Sequence, residues 1–276
     1  MKNKSICLIF SFLLLATNAN AAELCGQAKQ GEILIGFAPG ATEASLGSST
    51  SLVDQNGVFL LAFGRDEQKS PTLSIRDNKQ QTDYILNIDE GAWDIQNIKG
   101  IPPRKVTPSD SDLRSIEFEQ KVVRAAQTTK SMTPFWKKGF IMPVEGRISG
   151  EFGGQRIMNG IKKNPHAGMD IAAKAGTEIK ASSDGVVTLA QPDLFYSGNV
   201  IIIDHGYGLH TIYAHMQEMK VKRGDLVKQG DIIGLVGPTG RSTGPHLHWG
   251  ASANGTKFNP TSLLNINTAD KFCFTL

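Results

Sequence analysis

Short apolar runs broken by Gly, Asn, Asp and Pro recur along most of the chain, a rhythm that commits it to packed β-sheets. In the first third, Gly31–Phe37, Ser51–Val53, Gly57–Phe63, Pro71–Ile75, Gln81–Ile88 and Trp93–Ile98 read as strands. Turns are expected at Asp54-Gln55-Asn56-Gly57 and Arg76-Asp77-Asn78. Together they predict a small β-sandwich over residues 24–98, a stretch without a single histidine. Ile101-Pro102-Pro103 closes it. Thr107 as N-cap, Pro108 at the first helical position and Asp110 in the first turn then predict one amphipathic helix, Pro108–Thr128, inside a linker of residues 99–132. Its simplest role is a connector packed on one or both neighbours; a partner-binding helix is the alternative. From Phe140 the β rhythm returns in Phe140–Pro143, Arg147–Phe152, Val186–Ala190, Asn199–Asp204, Leu209–His215, Asp231–Gly237 and His246–Ala251. Gly153–Pro165 is polar and aperiodic and reads as a loop. The expected fold class is therefore mainly β: a small β-sandwich, a connecting helix, a C-terminal antiparallel β domain over residues 133–265, and a tail of residues 266–276.

The 276 residues are 40% hydrophobic and 20% charged, which suits packed cores rather than disorder. Residues 1–21 read as a secretory signal peptide: Lys2 and Lys4 precede the apolar run Ile6–Ala16, and Ala19-Asn20-Ala21 suits a signal peptidase. That run is too short to span about 30 Å of hydrocarbon, so no stable membrane insertion is expected after cleavage. Losing Lys2 and Lys4 takes the formal charge from +3 to +1, leaving no field to argue for nucleic acid or acidic lipid. Cys7 departs with the leader, so Cys25 and Cys273 remain. An exported protein meets an oxidising compartment, and a Cys25–Cys273 disulfide is expected, with two free buried thiols as the alternative.

The chemistry lies in two short spacings. His166 and Asp170 are four apart, and in an extended segment both fall on one side. His246 and His248 are two apart, so a strand aims both imidazoles at one face and Leu247 at the other. Histidines and a carboxylate are zinc ligands, and a catalytic zinc keeps three of them plus an open position. Thr211, Tyr213 and His215 share parity and are expected on one face. His210 has the opposite parity and should face away, and His205 beside Gly206 reads as a turn cap. No His-Glu-x-x-His helix occurs.

Three motifs, in order, resemble those of the lysostaphin/LytM-type zinc metallopeptidases, which cut the peptide bridges of bacterial cell-wall peptidoglycan. They are His166-Ala-Gly-Met-Asp170, Tyr213-Ala-His215 after His205-Gly-Tyr-Gly208, and Gly244-Pro-His-Leu-His248. The likeness covers roughly Phe140 to Pro260. Trp93–Asp110, with Gly100-Ile-Pro-Pro-Arg-Lys, resembles a subgroup with an N-terminal β-sandwich domain. The resemblance implies a lysostaphin-like domain binding one Zn2+ through His166, Asp170 and His248. It implies His215 and His246 as proton-handling groups, without saying which is base and which steadies the oxyanion. Where some relatives place an oxyanion tyrosine, this chain has Asn159-Gly160-Ile161.

The expected function is that of an exported zinc endopeptidase acting on peptidoglycan in the periplasm or envelope, or in the medium. A periplasmic location favours D-alanyl–diaminopimelate bridges over pentaglycine. The front domain and the Gly153–Pro165 loop are expected to be able to cover the groove and autoinhibit the enzyme, with a regulatory protein partner left open. The alternatives are a non-enzymatic wall-binding regulator or amidase activator, and a general secreted protease.

Overall fold

A computed structural model describes residues 21–276; the signal-peptide reading of residues 1–21 lies outside them except for Ala21. The fold is mainly β. Two four-stranded antiparallel sheets form the front unit. One runs, in spatial order, Cys273–Thr275, Glu23–Cys25, Ile33–Phe37 and Val58–Ala62; the other runs Ser49–Leu52, Ala41–Leu46, Thr72–Asp77 and Gln81–Ile85. Leu24, Leu34, Phe59, Leu61, Phe63, Leu73 and Ile75 fill the space between them. The Ala41–Leu46 strand was not expected, because only two alanines and one leucine punctuate its polar residues.

The C-terminal strand also departs from a simple tail. Cys273 pairs in register with Cys25, and the two are joined as a disulfide across 248 positions. By the loop-entropy argument such a closure contributes at most about 5 kcal/mol.

A ten-stranded sheet dominates the second half. Its main order is Leu226–Val227, Gly185–Leu194, Gly198–Asp204, Leu209–Met219, His246–Ala253, Met169–Ala172 and Arg147–Gly150. One face carries a dry core of Ile171, Ile201, Ile203, Tyr213, Leu247 and Trp249, and this core also takes in Ile33, Leu60 and Ala62 from the front unit. The front sandwich is therefore fused to the back of the large sheet. Phe140–Pro143, expected as a strand, forms no ladder; it makes single backbone bonds to Ser182 and Lys180.

The expected helix is present, two residues shorter at each end, and a separate short helix precedes it. Pro103–Val106 is one turn, the chain breaks at Thr107-Pro108, and Asp110–Ala126 follows. Ser109, not Thr107, is the N-cap, in a reciprocal capping box with Asp112. Proline restrains the residue before it from helical torsions, which explains the break at Thr107. The long helix packs Val122, Val123 and Ala126 on Leu189, Val200, Ile202 and Ala214, the face opposite the dry core.

Gly153–Pro165 is a hairpin rather than a loop. Gln155–Met158 pairs antiparallel with Ile161–Lys162 and parallel with Ile95–Ile98 of the front unit. Its apolar residues serve this small third sheet, so no long periodic run betrays it.

Candidate active site

Strand register brings the donors together. In the antiparallel pair of Met169–Ala172 with His246–Ala253, Asp170 lies directly opposite His248 and Ala172 opposite His246. Leu247 and Trp249 turn into the core, both fully buried, and the two imidazoles take the other face. His166 precedes the strand and is fixed separately, its Nδ1 donating to the Glu151 carbonyl at 2.9 Å. Its Nε2 then lies 3.0 Å from His248 Nδ1 and 3.1 Å from Asp170 Oδ1. His248 Nδ1 is 2.9 Å from the same oxygen.

Those three atoms form a compact triangle on buried or half-buried residues. A tetrahedral zinc with bonds of about 2.0–2.1 Å spaces neighbouring donors about 3.3–3.4 Å apart. The observed edges are within a few tenths of an ångström of that, and two imidazoles with one carboxylate are a zinc donor set, so the residues fit the ion. Glycine is required between His166 and Asp170. A Cβ on Gly168 would sit 2.6 Å from the Trp249 carbonyl and 2.8 Å from the His248 ring.

The electrostatics suit a cation. Burial pushes His166 down to about 4, against the pull of Asp170, so its ring is neutral near pH 7 with a free lone pair. Burial raises the Asp170 carboxyl, but the His166 and His248 imidazoles packed against it more than reverse this and hold it well below the usual range. Arg156 donates to its second oxygen, Oδ2.

His215 reaches the same face by a different route. Its φ is +65°, and opposite it the ladder skips: Asn199 pairs Met216 while Ile201 pairs Tyr213. This extra residue is a β-bulge. It sends Tyr213 and Met216 into the core and turns His215 to the site, 4.6 Å ring to ring from His246 and 6.0 Å from His248. The expectation that Tyr213 and His215 share a face is thereby corrected. Tyr213 instead bonds Ser182 and Thr211 inside the protein.

Both outer imidazoles are anchored at Nδ1, His215 on the Thr239 carbonyl at 2.8 Å and His246 on the Gly244 carbonyl at 2.8 Å. Each Nδ1 therefore carries the hydrogen and each Nε2 is left as an acceptor. His246 Nε2 lies 3.8 Å from Asp170 Oδ1. Burial, then the charges of His246 and His248, lower His215 to about 3, so it too is neutral.

The other two histidines are structural. His205 is fully buried between the Asp184 carbonyl (2.7 Å) and Thr211 Oγ1 (2.7 Å). The turn is capped by Asp204 instead, which accepts from Gly206 N–H. His210 lies on the site's side of the sheet, contrary to expectation, because the bulge reverses the parity count. It bonds Thr129 Oγ1 at 3.0 Å near the end of the long helix, away from the donors. The sequence does not point to Glu151 or Thr239, which act through backbone carbonyls, to the carbonyl role of Gly244, or to Arg156.

Comparison with known proteins gives consistent findings. Residues 164–260 match the model of Peptidase family M23. The chain is 44% identical over 113 residues to the DD-carboxypeptidase/endopeptidase Mpg of Neisseria meningitidis, covering 40% of this chain and 26% of that protein. It is 41% identical over 114 residues to the peptidoglycan DD-endopeptidase ShyA of Vibrio cholerae, covering 41% and 26%. The chain thus spans about a quarter of the length of these curated relatives. A crystal structure from Pseudomonas aeruginosa, described as a candidate M23 peptidase, superposes over 87% of this chain and 96% of its own, with a TM-score of 0.69 and 25% identity. That likeness extends beyond the matched segment into the front unit.

Proposed function

Taking residues 164–260 as a peptidase family M23 domain, we propose that this protein is an exported zinc metalloendopeptidase that hydrolyses peptide cross-links of bacterial peptidoglycan. The observation that carries the reading is the triangle of His166 Nε2, Asp170 Oδ1 and His248 Nδ1, flanked by two imidazoles of fixed tautomer. The names of the Neisseria and Vibrio relatives support the substrate class. That class and the leader-like N-terminus support a periplasmic or envelope location.

His166, Asp170 and His248 would hold one Zn2+, which when bound supplies Lewis acidity and lowers the pKa of a water. The chain's own groups do the rest. His215 and His246 present Nε2 lone pairs that can take a proton from the attacking water. The imidazolium so formed then donates to the tetrahedral oxygen or to the leaving amine. Their Nδ1 anchors keep each ring aimed through the cycle. Asp170 offers one oxygen to the ion while Arg156 engages the other.

Access is set by a strap of the linker, residues 101–106, rather than by the two four-stranded sheets, which pack on the opposite face of the large sheet. Ile101 and Val106 pack on Met158, and Asn159 Nδ2 donates to the Ile101 carbonyl at 2.6 Å. On the far side the Lys105 ammonium reaches the Phe195 carbonyl and lies 4.0 Å over its ring. Ser197, two residues on, accepts from His215 N–H at 2.8 Å. The strap therefore ties together the two loops beside the histidines and restrains turnover. Lys105→Ala should raise the rate, and an unchanged rate would remove the strap from control.

Purified sacculi and defined cross-linked muropeptides, incubated with zinc-loaded protein, test the main proposal. New amino groups and mass-identified cleavage products are expected from wild type and not from His248→Ala. Zinc binding with no hydrolysis would favour the wall-binding regulator, and hydrolysis by metal-free protein would sink the scheme.

A further inference from the structure

One side chain of the front unit touches the supports of two of the three clustered donors. Gln96 lies on Ile95–Ile98, in register with Arg156 on the parallel neighbouring strand. Its Oε1 accepts from Arg156 Nε at 3.3 Å, and Arg156 Nη2 donates onward to Asp170 Oδ2. Its Nε2 donates to the Glu151 carbonyl at 3.1 Å. That same oxygen accepts from His166 Nδ1. The seat is shaped for it: a Cβ on Gly154 would lie 2.3 Å from Gln96 Nε2. On the other side, a Cβ on Gly150 would come within 3.0 Å of Asp170 Oδ2 and 3.4 Å of Arg156 Nη2.

We propose that Gln96 is a positioning residue that couples docking of the front unit to the presentation of His166 and Asp170 to the metal. This rests on the metalloendopeptidase reading above. Each support has a distinct task. Arg156 occupies Asp170 Oδ2 and leaves Oδ1 for the ion; the Glu151 carbonyl holds the hydrogen on His166 Nδ1 and leaves Nε2 for it. The amide of Gln96 orients the guanidinium with one atom and fixes the carbonyl with the other. Losing it frees both ligands at once, whereas losing either support frees one. The front unit is then part of the metal site's scaffold.

Loss of a group that orients a metal ligand typically weakens metal binding or activity about 10–100-fold. Gln96 acts one contact further out, so about tenfold is expected. The test is a chelator-competition titration of zinc on the full chain, with the thermal midpoint of the metal-free protein alongside. Gln96→Leu should weaken zinc about tenfold. Gln96→Glu keeps an acceptor for Arg156 but sets a carboxylate against the Glu151 carbonyl, and should lose part of that. Gly154→Ala keeps the amide and displaces it, and should act in the same direction, which covers the case in which Gln96→Leu fails to fold. Wild-type zinc affinity in folded Gln96→Leu and Gly154→Ala would overturn the proposal, even with a lowered midpoint. His248→Ala is the control. If it too bound zinc normally, the metal-site reading itself would be at fault.

Discussion

Replacing His215 tests its proposed role as a proton-handling group rather than a ligand. Its ring stands 6.0 Å from His248 and is outside the donor triangle, so His215→Ala should leave zinc affinity unchanged. Its removal should cost what general acid–base help contributes, about 10²–10⁴-fold in kcat. At 1.36 kcal/mol per decade this is about 2.7–5.4 kcal/mol of barrier. The backbone complicates a single substitution, because φ is +65° here and alanine tolerates that region poorly. Asparagine is enriched there, so His215→Asn keeps the bulge while removing the base. Both variants should lose turnover to a similar degree; the alanine variant should also melt earlier. The assay is turnover of a defined cross-linked muropeptide, with zinc content and thermal midpoint measured on the same samples. Loss of zinc together with activity would make His215 a ligand, and near-wild-type turnover in the asparagine variant would remove it from the chemistry.

Three further outcomes follow from the packing and charge. Gly168→Ala should weaken zinc in a chelator titration, because the new Cβ meets the Trp249 carbonyl and the His248 ring; normal affinity would mean the ligand strand yields freely. Burial raises the Glu32 carboxyl from 4.5 to about 7, against the pull of Lys29. A raised carboxyl loses stability as pH climbs through that window, so Glu32→Gln should stabilise in urea melts at pH 8 and be neutral near pH 4. Destabilisation at pH 8 would reveal an ion pair instead. Leu60 is fully buried in the core that joins the two units. Leu60→Ala should cost about 2–5 kcal/mol in one cooperative transition, and a separate early transition confined to the front unit would show that the halves unfold apart.

The parts of this site visible in the sequence were those set by residue type and short spacing. His246 and His248 two apart on a strand needed only the alternation of a pleated backbone; the Met169–Ala172 strand that carries Asp170 is not among the strands the sequence predicts. His215 needed more, since strict alternation puts it with Tyr213 in the core and only the bulge turns it outward. Nothing in Tyr213-Ala-His215 signals a left-handed backbone. The supporting groups were invisible for a different reason: the Glu151, Thr239 and Gly244 carbonyls belong to every residue type alike. Arg156 and Gln96 are ordinary polar residues 60 positions apart, joined by a parallel pairing that crosses the two halves. The fusion of front unit and large sheet was likewise hidden, because Ile33, Leu60 and Ala62 look like the interior of a sandwich rather than its outer face. The disulfide, by contrast, followed from counting cysteines.

Anomalous diffraction at the zinc edge from crystals of the zinc-loaded protein tests the centre of this account. A single strong peak equidistant, to within bond-length differences, from His166 Nε2, Asp170 Oδ1 and His248 Nδ1 is the expected result. A peak elsewhere, or a clear map in which those three side chains diverge from one another, would contradict it.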